Sequence, residues 1–213
     1  AARWIQTTTG HEVDWTCLLT TVGAQQAIDV ALRTLLAPGD TLMCEAATFH
    51  GAQLSAAQGR LKLVGLPMDS LGVTPEGLDA AAAKGARVAY LMPTLQNPSG
   101  RTMSYDRRIA IVEVARRRDL ILIEDDIYAP YAGETLGDAP PTLASLAPER
   151  VYYLTGASKI LAAGLRVGFI VAPDETRFRA LAQVLRASLY SPPALGAAVF
   201  THWVETGDAE WIA

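Results

Sequence analysis

Apolar residues along the chain follow two rhythms. From Ala24 to Leu36 they recur at Ala27, Ile28, Ala31, Leu32 and Leu35, one face of a helix that begins directly after Gly23 and is stopped by Pro38-Gly39-Asp40. The other rhythm is the short unbroken run: Thr41 to Cys44, Leu61 to Pro67, Val88 to Met92, Leu120 to Ile123, Val151 to Leu154 and Val167 to Ala172. These have strand length, and runs such as Leu120 to Ile123 are apolar on both faces, as buried parallel strands must be. Between them the sequence predicts a small-residue helix from about Phe49 to Gln58, a turn over Asp69 to Gly72, and a helix capped by Thr74 with Pro75 at its first position, ending at Gly85. Ser104 caps a further helix, with Ile109, Val112 and Ala115 expected on the core and Arg107, Arg108, Arg116 and Arg117 in water. Ala129 to Pro148 reads as a Gly- and Pro-rich loop, and Ala198 to Glu205 as helix. Strand and helix alternate almost throughout, which predicts an α/β fold: three layers, α/β/α, around a mostly parallel sheet with right-handed crossovers.

Composition adds exclusions. With 213 residues, 50% hydrophobic and 19% charged, the chain can bury a core without disulfide or metal staples. Eighteen Lys plus Arg against 22 Asp plus Glu give a net charge of −4, and the longest like-charge run is Arg116-Arg117-Arg118, so this chain is not expected to bind nucleic acid. Cys17 and Cys44 lack CxxC spacing and His11, His50 and His202 are scattered, so neither a disulfide framework nor a metal site is expected. The sequence has no apolar stretch long enough to span a membrane and no secretory leader, which makes the cytoplasm the expected location. It opens at Ala1 without methionine and reads as a piece of something longer.

In open α/β sheets ligands sit beyond the carboxyl ends of the strands, so the polar residues that follow each apolar run are informative. Four such turns stand out: Thr20-Thr21-Val22-Gly23-Ala24-Gln25 before the first periodic helix, Asn97-Pro98-Ser99-Gly100, Glu124-Asp125-Asp126-Ile127-Tyr128, and Thr155-Gly156-Ala157-Ser158-Lys159 with Arg166 close behind. Each alone admits a structural reading, as turn chemistry, a helix cap or a surface lysine.

Together and in this order they resemble the fold type I pyridoxal-phosphate enzymes, the aspartate aminotransferase superfamily, over nearly the whole chain. Gly23-Ala24-Gln25-Gln26-Ala27, Glu124 to Tyr128 and Ser158-Lys159 through Gly168 are most similar to the kynurenine and 2-aminoadipate aminotransferases and to the aminotransferase-like domain of MocR-type (GntR family) regulators. The resemblance implies that Lys159 forms the Schiff base with pyridoxal 5'-phosphate and shuttles a proton, that Asp125 pairs with the pyridine nitrogen, and that Asn97 and Tyr128 bond the phenolic oxygen. The phosphate would rest on the helix N-terminus at Gly23, Ala24 and Gln25, with Ser158 and Arg166 completing the cradle. Phe49 falls where the family stacks an aromatic ring on the cofactor, although it also reads as a core aromatic under a loop. His50 reads as a polar neighbour rather than a catalytic acid.

Two departures matter. Where the family has Ser or Thr three positions before the lysine, this chain has Gly156, with Thr155 displaced by one, which puts phosphate binding in question. The small domain and the N-terminal segment that complete the family's substrate site are not expected within this sequence, so residues 1–190 read as a cofactor-binding large domain and 191–213 as the start of a connection. The implied activity is amino transfer between an amino acid and a 2-oxo acid, in a homodimer. The alternative is a cofactor-binding effector and dimerisation domain of a MocR-type regulator.

Overall fold

A computed structural model describes residues 1–136, 139–192 and 194–209; part of the 191–213 connection therefore lies outside the described residues. The expected alternation appears as a seven-stranded sheet. Its strands are β1 (Leu18–Val22), β2 (Thr41–Glu45), β3 (Lys62–Leu66), β6 (Val88–Leu91), β7 (Ile121–Asp125), β8 (Val151–Gly156) and β9 (Val167–Val171), in the order β1-β9-β8-β7-β6-β2-β3. All neighbours from β3 to β8 pair in parallel, while β9 runs against both β8 and β1. A two-residue-strand hairpin, β4 (Met68–Asp69) and β5 (Gly72–Val73), forms around the turn expected at Asp69 to Gly72.

Alternate residues of the central strands enter two cores, which is why their apolar runs show no polar face, whereas the edge strand β3 is exposed except at Leu66. On one side Leu42, Val88, Tyr90, Ile123, Tyr152, Leu154 and Ile170 pack beneath α2 (Gly23–Leu35), α3 (His50–Gln58) and α8 (Glu175–Ser188). On the other, Met43, Ala89, Leu91, Leu122, Tyr153 and Phe169 face α1 (Ala2–Thr9), α4 (Pro75–Ala83), α5 (Tyr105–Arg117), α7 (Leu143–Leu146) and α9 (Ala194–Thr206). The Thr74 and Ser104 hydroxyls cap α4 and α5, accepting from Gly77 N and Arg107 N as their positions predict.

The structure corrects two expectations. Arg108 does not stay in water: it is fully buried. The buried stripe of α5 is Arg108, Ile111, Val112, Val114 and Ala115, so the arginine takes the first slot of the i, i+3, i+4, i+7 face and Ile109 is only half-buried. Arg107 is also largely covered, in a two-armed ion pair with Asp69 at 3.0 and 2.7 Å, and only Arg116 and Arg117 of the four are exposed. The second correction concerns Ala129 to Pro148, which contains α6 (Ala129–Leu136) and α7 rather than loop alone. Thr142 starts α7 by accepting from Ser145 N at 2.9 Å, a cap signal masked by the surrounding prolines and glycines.

Candidate active site

The four polar turns meet at the C-terminal ends of the parallel strands. A cavity of about 210 Å³ there is lined by Ala24 and Gln25 from α2, Phe49 after β2, Asn97 after β6, Asp125 and Tyr128 at the end of β7, and Ser158, Lys159 and Arg166 around β8 and β9. Gly23 lies against it: a Cβ on this residue would sit 2.7 Å from the Arg166 guanidinium. His50 is exposed, its ring 4.9 Å from that of Phe49 at a steep angle, and it does not line the cavity.

One end of the cavity is built for an anion. Helix α2 begins without a side-chain cap and without an acidic residue in its first turn, so its leading N–H groups keep their partial positive charge. Gln25 turns its side chain away to bond Gly51 O at 2.9 Å and Ser55 Oγ at 3.0 Å, bracing α3. Ser158 Oγ is buried with no hydrogen-bond partner among the described residues, and Arg166 has no carboxylate partner among them. Arg166 is also held at φ 52°, in the left-handed region that costs a non-glycine residue about 1 kcal/mol. An orphaned hydroxyl, a free guanidinium and uncapped N–H groups around one concavity fit a phosphate.

Gly156 is explained by packing. It pairs with Gly168 across β8 and β9, and a Cβ on it would stand 2.9 Å from Val167 O. A Cβ on Gly168 would fall 2.3 Å from Gly23 C. The three glycines thus bring β8, β9 and the start of α2 into close contact. Thr155 does not stand in for the missing hydroxyl, because its Oγ1 is buried and directed to Asp126 O at 3.4 Å.

At the other end, Asp125 is buried and accepts from Tyr90 Oη at 2.6 Å through Oδ2, with a longer contact from Ile127 N at 3.4 Å to Oδ1. Burial pushes its carboxyl up to about 6, against the pull of those two donors. The Asn97 turn, whose Asn97–Pro98 bond is cis, is organised by Gln96. The Gln96 amide donates to Ala47 O, Asn97 O and Glu45 Oε2 and accepts from Ser99 N, tying the turn before Phe49 to the Asn97 turn. Glu45 also accepts from Met92 N at 2.8 Å and Thr48 Oγ1 at 3.2 Å, and burial raises its carboxyl to about 7. Lys159 sits exposed at the cavity, its carbonyl accepting from Tyr131 Oη.

Behind the site, Arg108 donates to Pro93 O, Thr94 Oγ1, Met103 O and Pro141 O and lies 3.9 Å from Glu124. Glu124 in turn accepts from Leu143 N and Ala144 N at 2.8 Å, fixing α7 to β7. Tyr90, Glu45, Gln96 and Arg108 escape sequence reasoning; Tyr90, Glu45 and Arg108 signal only as polar residues in an otherwise apolar strand or helix stripe, and Gln96 only as one more polar residue of the turn that holds Asn97.

The architecture is the α/β fold of the fold type I aminotransferases, and the chain belongs to the family described as aminotransferase class I and II, whose model it matches over residues 1–210. It is 34% identical to aminotransferase swnA of Metarhizium robertsii, over 93% of this chain and 43% of that protein. It is 30% identical to YdfD of Bacillus subtilis, an uncharacterized HTH-type transcriptional regulator, over 94% of this chain and 41% of that one. Among solved structures, kynurenine aminotransferase of Pyrococcus horikoshii, in complex with PMP and with KYN and KYA as substrates and products, superimposes with a TM-score of 0.88 at 29% identity. That match covers 99% of this chain and 53% of the solved one. The chain thus spans less than half the length of these curated relatives. Among the described residues no helix is long and apolar enough to cross a membrane and no cluster of His, Cys, Asp and Glu could hold a metal.

Proposed function

We propose that the chain is the pyridoxal 5'-phosphate-binding large domain, residues 1–190, of a homodimeric aminotransferase that moves an amino group between an amino acid and a 2-oxo acid. The observation that carries this is the convergence of Lys159, Asp125, Asn97, Tyr128 and Arg166 on one cavity, beside an uncapped helix N-terminus and an orphaned serine hydroxyl. When bound, the cofactor supplies an aldehyde that captures amines and a protonated ring that draws electrons from the substrate α-carbon.

In this reading the N–H groups of Gly23, Ala24 and Gln25, with Ser158 and Arg166, bind the phosphate. Asp125, as a carboxylate, pairs with the ring nitrogen and holds its proton. Asn97 and Tyr128 donate to the phenolic oxygen, and Phe49 covers the ring and excludes water. Lys159 Nζ is the nucleophile that anchors the cofactor and the base that takes and returns the α-proton. Replacement of Lys159 by Ala is expected to abolish the absorbance change that follows addition of pyridoxal phosphate; a variant that still gives the wild-type absorbance change removes the assignment.

The similarity to YdfD supports a second reading, a cofactor-binding effector and dimerisation domain of a MocR-type regulator. The two part on turnover in the full-length protein. Multiple cycles of amino transfer mark the enzyme, and a saturable spectral response to amino acids without 2-oxo acid product marks the sensor.

A further inference from the structure

We infer that Tyr90 is a positioning residue of this site: a single hydrogen bond from its phenol holds Asp125 as a carboxylate and leaves one Asp125 oxygen for the ring nitrogen. The inference rests on the reading of the cavity as a pyridoxal-phosphate site.

Tyr90 does not line the cavity, so it acts through Asp125. It stands on β6, paired with Ile123 of β7, and Asp125 is two residues further along the same face. That diagonal separation is one an aromatic side chain can cross, and Tyr90 Oη reaches Asp125 Oδ2 at 2.6 Å with both residues buried. The distance is that of a charge-assisted O–H···O⁻ bond. A buried phenol needs an acceptor, and the burial of Tyr90 and the adjacent Asp125 charge push its own ionisation well above the ordinary value, so it remains the donor.

The two oxygens of Asp125 are therefore unequal. Oδ2 is occupied by Tyr90, whereas Oδ1 has only the 3.4 Å contact from Ile127 N and retains room for a donor in the cavity. The surrounding charges work against ionisation. Asp126 on the same strand end raises the Asp125 carboxyl, Glu45 on β2 is a second carboxyl coupled to it by charge, and Cys44 and Glu45 face Tyr90. Among the described residues no Lys or Arg forms an ion pair with Asp125. The Tyr90 bond is the largest of the two influences that favour the charged form.

Tyr90→Phe keeps the ring and removes the donor. The test titrates the Asp125 side-chain carboxyl by ¹³C NMR in the folded, cofactor-free chain, assigned by loss of its signal in Asp125→Asn, and measures pyridoxal phosphate affinity from pH 6 to 8.5. Wild type is expected to titrate near 6, and Tyr90→Phe about one pH unit or more higher, by the strength of a hydrogen bond to a charged group. The affinity loss should grow as pH falls, whereas a purely structural role weakens binding equally at every pH. An unchanged Asp125 midpoint in folded Tyr90→Phe, or a pH-independent loss, overturns the inference. If Tyr90→Phe does not fold, incorporation of 3-fluorotyrosine, a stronger donor, should move the midpoint down, and no movement overturns it equally. Failure of wild type to form a borohydride-stable adduct sinks the cofactor reading instead, a result separate from the carboxyl titration.

Discussion

Gly156 shows how a single residue can depart from a pattern for a reason that lies in its neighbours. The hydroxyl that the aminotransferase resemblance leads one to expect there has no room, since any Cβ meets the backbone of Val167 and Gly168. Gly156→Ser is therefore predicted to destabilise the chain, by roughly 1–3 kcal/mol as for other overpacked sites, and to leave pyridoxal phosphate affinity no better. Urea denaturation and a cofactor titration on the same variant check both halves; a stable variant with tighter binding would show that the hydroxyl was merely absent. On the proposed reading, the phosphate would then rest on Ser158, Arg166 and the α2 N–H groups. That Ser158 and Arg166 share one cavity was legible from the Ser-Lys turn and the arginine behind it. The reason for Gly156 was not, because it depends on a three-glycine contact between segments far apart in sequence.

Among the elements, those with strong periodicity or caps were the readable ones: α2, α4, α5 and the six apolar runs. Helix α1 gives weaker warning, since Trp4 and Ile5 are buried against Phe200 and other distant partners rather than by a local repeat. The misreading of Arg108 has a physical cause. A charge in the buried stripe of α5 is tolerated only because the turn after β6 offers Pro93 O and Thr94, and β7 offers Glu124, none of which sequence spacing reveals. Breaking such a buried pair by removing one partner leaves an uncompensated charge, at about 3–5 kcal/mol. Arg108→Leu is expected to lose that much stability in chemical denaturation, while Arg116→Leu, whose partner Glu149 is exposed, should change it by less than about 1 kcal/mol. Equal effects of the two substitutions would contradict the account of how β6, β7 and α7 are locked behind the site.

At the scale of the whole molecule, the buried carboxyls set an unusual pH response. Burial raises Glu45 to about 7 and Asp125 to about 6, and it raises Glu124 and Asp126 as well. The folded chain thus binds protons that the unfolded chain has already released, so these groups favour folding at mildly acidic pH and this advantage is lost as pH rises through 6 and 7. His11 and the Ala1 amino group, both lowered by burial, act in the opposite direction but are outnumbered by the four raised carboxyls. Glu149, held near 2 by Arg116, loses its contribution only as pH falls below about 4. The cofactor-free chain is predicted to melt at a higher temperature near pH 5.5 than at pH 8; a midpoint that is flat or rises over that range would contradict the assigned burial. One of these buried carboxyls, Asp125, lines the cavity on which the functional reading depends. The most direct measurement of that reading is borohydride reduction of the wild-type chain with pyridoxal phosphate, followed by peptide mapping. The account predicts one stoichiometric adduct, on Lys159; a folded chain with no adduct, or with label spread over surface lysines such as Lys62 and Lys84, would contradict it.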